Sequence, residues 1–232
     1  MNRKIEWTDW GMVPYGEAFE RQHVLFDKIK NIKIRNRREG TAETTPNYFI
    51  FTGHPHVYTL GKSGKIEHLL LPEKLMEEKG ISFYRTDRGG DITYHGPGQI
   101  VGYPIIDLDN FGIDIIQYIR MLEEVIIRVL AHYGIKGERS EGETGVWLDA
   151  GKPGARKICA IGVRTSRWVT MHGFALNVNT DLSLFDYIIP CGIRGKGVTS
   201  MEKELGRPVN MEEVKARIRD EFARVFGAEF IP

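Results

Sequence analysis

Cysteine is nearly absent: two residues in 232 cannot cross-link a chain of this length, so a disulfide-stapled fold is excluded. Charge of one sign is absent as well. Lysine and arginine number 32 against 31 aspartates and glutamates, and the balance of +1 supplies neither a field for nucleic acid nor a polyanionic tail. No apolar run approaches the roughly 20 residues that cross a bilayer. The opening Met1-Asn2-Arg3-Lys4-Ile5-Glu6 lacks the apolar stretch of a signal peptide. Internal repeats, low-complexity tracts and interdomain linkers are missing too. The expectation is one domain over residues 1–232, cytoplasmic, monomeric, with no membrane and no nucleic-acid partner. In a reducing compartment an important cysteine is a nucleophile or a ligand rather than half of a bridge.

What is present suffices for a folded core: 41% of the residues are hydrophobic and 27% charged. A helix is expected from Tyr15 to about Lys30, with Phe19, His23, Phe26 and Ile29 on one face. A second runs from about Ile113 to Tyr133, its apolar positions stepping by three or four, and Gly134 stops it. A third starts at Asn210, an N-cap with Glu213 three residues on, buries Val214, Ile218, Phe222 and Val225, and ends at Gly227. Tyr48 to Phe51 reads as a buried strand. Val146 to Leu148, a Lys152-Pro153-Gly154 turn and Lys157 to Val163 read as a hairpin. A Thr165-Ser166 turn then leads into a strand from Trp168 to Val178. The pattern predicts an α+β domain, a mixed β-sheet core flanked by helices.

The densest segment is Arg88-Gly89-Gly90-Asp91-Ile92-Thr93-Tyr94-His95-Gly96-Pro97-Gly98-Gln99. Its glycines permit positive φ and close backbone approach, so amides can point at a ligand. It is neither a Walker loop nor a dinucleotide fingerprint. A second feature is Cys191, delivered by an apolar, proline-stopped run into Gly192-Ile193-Arg194-Gly195-Lys196-Gly197. Nearby cations favour thiolate and glycine amides can hold an oxyanion. On the residues alone, a reactive and a structural Cys191 weigh equally. Cys159, among apolar neighbours, reads as a buried inert thiol.

Lys157 opens the same apolar strand, and alternation puts Lys157, Cys159 and Ile161 on one face, with Ile158, Ala160 and Gly162 on the other. A lysine in an apolar site can exchange a proton with a thiol, but on spacing alone an edge lysine reaching water outweighs this reading. His54 and His56 form the one close histidine pair, without the further ligands of a zinc site, and no metal is assigned. His95 reads as an orienting hydrogen-bond group and His172 as a strand residue near the site. The basic stretch Lys28 to Arg38 reads as a solvated helix end ahead of a docking surface.

Together these segments resemble the lipoyl(octanoyl) transferases. The resemblance rests on Arg88 to Gln99, on Lys157 with Ala160-Ile161-Gly162, on His172 to Val178, and on Pro190-Cys191-Gly192. It spans roughly Gly53 to Met201, in the family's order and spacing. Where that family commonly has an acidic residue and then His-Pro-Pro, this chain reads Gly53-His54-Pro55-His56. The first 45 or so residues carry no signature of the family.

The resemblance implies the fold of biotin and lipoate protein ligase catalytic domains. It also implies an acyltransferase of protein lipoylation that needs no cofactor. Such an octanoyltransferase takes an octanoyl group from octanoyl-acyl carrier protein, holds it as an acyl thioester, and passes it to a lysine of lipoyl domains, those of 2-oxoacid dehydrogenases and the glycine cleavage H protein. Cys191 would be the nucleophile and Lys157 the residue promoting its thiolate. Arg88, Gly89, Gly90, Asp91, Ile92, Thr93, Tyr94, His95, Ala160, Ile161, Gly162, Gly173, Phe174 and Ala175 would line the acyl substrate. The rivals are an ATP-dependent ligase on the same fold, which needs no nucleophilic cysteine, and a non-catalytic domain that only recognises carrier proteins. A thioester donor is already activated, so octanoyl transfer in vitro should proceed at an unchanged rate without ATP. An absolute requirement for ATP would select the ligase.

Overall fold

In the computed structural model of the chain, which describes residues 1–189 and 197–231, the amphipathic run after Ile113 forms helix α3 (Ile115–His132). Asp114 caps it, its side chain accepting from the Gln117 amide while Gln117 reaches back to the Asp114 amide. Tyr118, Leu122, Val125, Ile126, Val129 and Leu130 form its buried stripe. Helix α5 (Met211–Phe226) is capped by Asn210 and closed by Gly227 in the left-handed conformation. It buries Val214, Ile218 and Phe222 as expected, with Phe226 taking the core position ahead of the half-buried Val225.

Helix α1 (Tyr15–Glu39) runs nine residues past the expected end at Lys30. Its buried stripe is Tyr15, Ala18, Gln22, Phe26, Ile29 and Ile32, so Phe19 and His23 sit at the edge of that face. The extension carries the later part of the basic stretch, and several of the stretch's cations find partners outside the helix. Lys33 pairs with Asp107 and Asp109, Arg35 with Glu43, and Lys28 donates to the Tyr48 hydroxyl at 2.8 Å.

The main sheet contains β1 (Lys4–Met12), β2 (Tyr48–Gly53), β6 (Gln99–Ile105), β7 (Glu138–Ser140), β8 (Glu143–Leu148), β9 (Arg156–Ser166), β10 (Val169–Asn177) and β12 (Glu229–Ile231). Among the described residues its order is β12-β1-β2-β6-β10-β9-β8-β7, and β11 (Gly197–Val198) lies parallel to the start of β9. The β12–β1 and β1–β2 pairs are parallel, and the remaining pairs along that order are antiparallel. A smaller sheet, β4-β3-β5, is built from β3 (Val57–Leu60), β4 (Ser82–Arg85) and β5 (Ile92–His95), beside the short helix α2 (Glu73–Glu78). Helix α4 (Met201–Leu205) follows β11. Helices α3 and α5 cover one face of the main sheet, with Phe49, Phe51, Phe174 and Leu176 beneath them. Helix α1 covers part of the other face, over Ile50, Val101, Tyr103 and Ala175. The small sheet makes its own core of Tyr58, Leu60, Ile92 and Tyr94 with Phe185 and Ile188. This is the expected α+β architecture.

Two local expectations change. First, β9 does not alternate cleanly. Val146 pairs with Cys159 but Trp147 pairs with Lys157, so Ile158 is an extra residue in the ladder. This bulge sends both Ile158 and Cys159 into the α3 core, whereas Lys157 and Ala160 line a cavity on the opposite side. Cys159 is fully buried, and burial pushes its thiol far above the ordinary range. Secondly, Thr165 and Ser166 belong to β9, and the turn is Arg167-Trp168. Both residues have positive φ, 52° and 64°, the geometry of a two-residue hairpin turn that favours Asn-Gly. The double substitution Arg167→Asn, Trp168→Gly should therefore stabilise the fold by about 1 kcal/mol. Its urea midpoint measures this, and an unchanged midpoint would show that the turn stores no strain.

Candidate active site

A cavity of about 330 Å³ opens between the small sheet and the main sheet. Its wall is β9 and β10, where Ala160 pairs with Ala175 and Gly162 with Gly173, giving a surface of small side chains. Gly173 is needed for packing: a β-carbon there would stand 2.1 Å from the Gly102 carbonyl oxygen of β6. Arg88, Gly90, Asp91, Ile92, Thr93 and His95 line the facing side. Ile161 and Phe174 also border the cavity while packing towards the α3 core. Gly89 and Tyr94 do not border it. The Gly89 amide donates to the Val163 carbonyl at 2.9 Å, tying the glycine-rich segment to β9, and Tyr94 is fully buried with its hydroxyl 2.7 Å from His56 Nδ1.

One chain of hydrogen bonds crosses the site. Arg88 donates to Thr59 Oγ1 at 2.8 Å, and that hydroxyl donates to His95 Nε2 at 3.3 Å. His95 Nδ1 donates to Gln99 Oε1 at 2.8 Å, and Gln99 Nε2 donates to Asn177 Oδ1 at 2.9 Å. Asn177 Nδ2 donates to the Thr199 carbonyl at 3.0 Å, and the Thr199 amide donates to the Lys157 carbonyl at 3.0 Å. Gln99 Nε2 also donates to the Tyr94 carbonyl, which fixes the amide's orientation and, through it, the Nδ1–H tautomer of His95. Burial, with His54 nearby, pushes His95 down to about 3, so the ring stays neutral. It is an orienting group, as its sequence context suggested.

Lys157 lines the cavity with its ammonium 4.6 Å from the centre of the Trp147 ring. Trp147, Gln99, Asn177, Tyr15, Tyr103, Glu143 and Val198 also line it, outside the set read from sequence. Gln99 and Asn177 were visible in the motifs, but Trp147 belongs to an ordinary apolar strand and no local signal marks it. Cys191 lies outside the described residues. On either side of that segment, the Ile189 amide donates to the His68 carbonyl at 2.9 Å, and Val198 pairs with Lys157 across β11 and β9. His68 in turn bonds Asp91 through its ring.

Of the other histidines, His54 is structural, while His172 of β10 borders the cavity, as expected of a strand residue near the site. His54 donates from Nδ1 to the Val13 carbonyl at 2.8 Å and accepts from Tyr103 at 2.7 Å. Burial holds it down at about 4. His172, at φ 62°, is lowered by burial and bonds Asp87, whose carboxyl stays below the usual range: burial opposes this, but the His172 bond and the Arg164 charge outweigh it. Among the described residues no three metal-ligating side chains gather.

A sheet with a small-residue cavity wall, a glycine-rich segment opposite and a lysine at the cavity's edge offers room for a slender, largely apolar ligand. The chain belongs to the lipoyl protein ligase A/B catalytic domain family, whose profile matches residues 14–223. It is 61% identical over 232 residues to an octanoyltransferase of Flavobacterium psychrophilum, covering 100% of both chains. Against an octanoyltransferase of Christiangramia forsetii it is 60% identical over 99% of this chain and 98% of that one. The fold is shared with the bipartite lipoate protein ligase of Thermoplasma acidophilum at TM-score 0.70 and 17% identity, over 100% of this chain and 86% of that one. It is also shared with a lipoate-protein ligase A solved with ATP, at TM-score 0.68 and 16% identity, over 100% and 90% of the two chains.

His54 and His95 are neutral in the fold and take up protons once it unfolds, at an ordinary histidine value of about 6.5. Their folded values lie below that, so stability is lost as pH falls from about 6.5 towards 4, by about 1.4 kcal/mol per pH unit for each ring. Urea unfolding at pH 7 and pH 5 measures the loss, and His95→Gln should remove about one ring's share of the slope. An unchanged slope in that variant would show that His95 is charged in the fold.

Proposed function

We propose that the protein moves an octanoyl group from octanoyl-acyl carrier protein, through a thioester on Cys191, to the lysine of lipoyl domains. The acceptors in this reading are the lipoyl domains of 2-oxoacid dehydrogenases and the glycine cleavage H protein. The whole chain, residues 1–232, acts as one catalytic domain, a cytoplasmic monomer. Relatives that match six residues in ten along its full length are octanoyltransferases. No helix among the described residues is long and apolar enough to cross a membrane.

The observation that carries the residue assignment is the position of Lys157. It stands on the wall of a cavity near the lower end of ordinary ligand-site volumes, suited to a slender chain, and the strand following residues 190–196 pairs alongside it. Each methylene buried against Ala160, Ala175 and the neighbouring glycines contributes roughly 0.8 kcal/mol. In the first transfer the proton of the Cys191 thiol rests on Lys157, as an ammonium–thiolate pair, and the thiolate attacks the carrier thioester. The carbon–sulfur bond to the carrier breaks, and the leaving carrier thiolate takes the proton from Lys157, which is then neutral. In the second, the acceptor amine attacks the octanoyl thioester, its proton passes to neutral Lys157, and Cys191 departs as thiolate. The reaction exchanges a thioester for a thioester and then for an amide, so neither ATP nor a metal enters.

Wild type incubated with octanoyl-carrier protein should gain one octanoyl group on Cys191, read by intact mass and peptide mapping, and Cys191→Ser should gain none. An adduct on Cys159, or no adduct, would retire the assignment. Lys157→Ala should slow this acylation by about a hundredfold at pH 7 and much less at pH 9, where the thiol ionises unaided. Equal slowing at both pH values would argue against proton transfer to Lys157.

A further inference from the structure

Lys157 is held from one side by a strand that no sequence motif marks. The bulge at Ile158 sets Trp147 of β8 directly across from Lys157 of β9, on the cavity side of the sheet. The indole ring is 4% exposed, and the lysine Nζ lies 4.6 Å from its centroid, inside the range of cation–π attraction. Two residues earlier, Gly145 has φ 119°, and a β-carbon there would stand 2.6 Å from the Cys159 carbonyl oxygen and 3.5 Å from Lys157 Cε. Bare backbone thus lets the lysine stem lie flat on β8 while the indole meets its head. The strand is anchored from behind. The Gly145 amide donates to Glu123 Oε1 at 3.0 Å, and Glu123 is fully buried on α3 with Arg120 and Arg139 on its other oxygen.

We propose that Trp147 is a positioning residue for acyl transfer: its indole face holds the Lys157 ammonium at the edge of the cavity, and it acts through Lys157 rather than on the substrate. The inference rests on the lysine's role in the reading above. A cation on an aromatic face keeps its orientation while part of its hydration is replaced, which suits a lysine that must stay aimed at one thiol. Among the described residues, the titratable and charged groups that face it include Glu143, Asp91, His95, His172 and Arg88 on the same cavity, Cys159 on the core side of β9, and Glu123 behind Gly145. Arg194 and Lys196 lie outside the described residues.

The test is a double-mutant cycle on the single-turnover acylation rate with octanoyl-carrier protein, run at pH 7 and pH 9. Trp147→Leu should slow acylation about tenfold at pH 7 and less at pH 9. Trp147→Phe, which keeps an aromatic face, should stay within about threefold of wild type. Combining Trp147→Leu with Lys157→Ala should be no slower than Lys157→Ala alone. If Trp147→Leu proves too unstable, Trp147→Met, which keeps bulk without an aromatic face, with and without Lys157→Ala completes the same cycle. Losses that multiply in the double variant, or slowing that is equal at both pH values, would overturn the proposal by showing that Trp147 acts through packing alone. A Lys157→Ala enzyme as fast as wild type would remove the lysine's role, and this one with it. A slow Lys157→Ala with multiplying losses removes only Trp147.

Discussion

The site depends on one directional chain of hydrogen bonds, from Arg88 through Thr59, His95, Gln99 and Asn177 to Thr199 and the backbone of Lys157. Each of these side chains except that of Lys157 is buried, so a broken link would leave a polar group without water or partner. The chain joins the glycine-rich segment, the small sheet, β6, β10 and the strand start beside Lys157. It does so with every donor pointing the same way. That direction requires a neutral His95, and burial supplies the neutrality. The histidine of the motif therefore serves as a fixed connector rather than a proton carrier.

The cavity exists because the two sheets do not pack flush. The small sheet keeps a core of its own around Tyr58 and Tyr94, and α1 covers only part of the main sheet's second face. Between them the wall of Gly162, Gly173, Ala160 and Ala175 has no side chain large enough to fill the gap. The glycine at 173 is not there for the ligand: the close approach of β10 to Gly102 demands it. Packing between strands and space for an acyl chain are met by the same substitution of small for large residues.

The same frame serves different chemistry in its relatives. Lipoate protein ligases share this fold at 16–17% identity, while the proteins that match at about 60% are octanoyltransferases. A fold shared at that distance does not carry the chemistry, which rests on a few side chains. In the function proposed above those side chains include Lys157 on β9, which sits against an indole from β8.

Much was legible without coordinates, and it was the part written within single segments. Helices α3 and α5 follow from their own periodicity and caps, Asn210 among them, and the motif residues around Arg88 can be picked out by type and spacing, whereas Lys157 stands out only through the resemblance. The α1 extension was not legible, because Lys33 and Arg35 are balanced by Asp107, Asp109 and Glu43, all outside the helix. The Arg167-Trp168 turn lacks the glycine or asparagine that would announce it. Strict alternation placed Lys157 and Cys159 on one face, and only the pairing of β8 with β9 shows that a bulge separates them. Sequence by itself determined which residues could do chemistry. Tertiary structure decided which glycines are structural, that a bulge turns Cys159 away from Lys157, and that Trp147 meets Lys157. The physical reason is that bulges, cross-strand contacts and hydrogen-bond chains are agreements between distant segments, and the periodicity within one segment does not encode them.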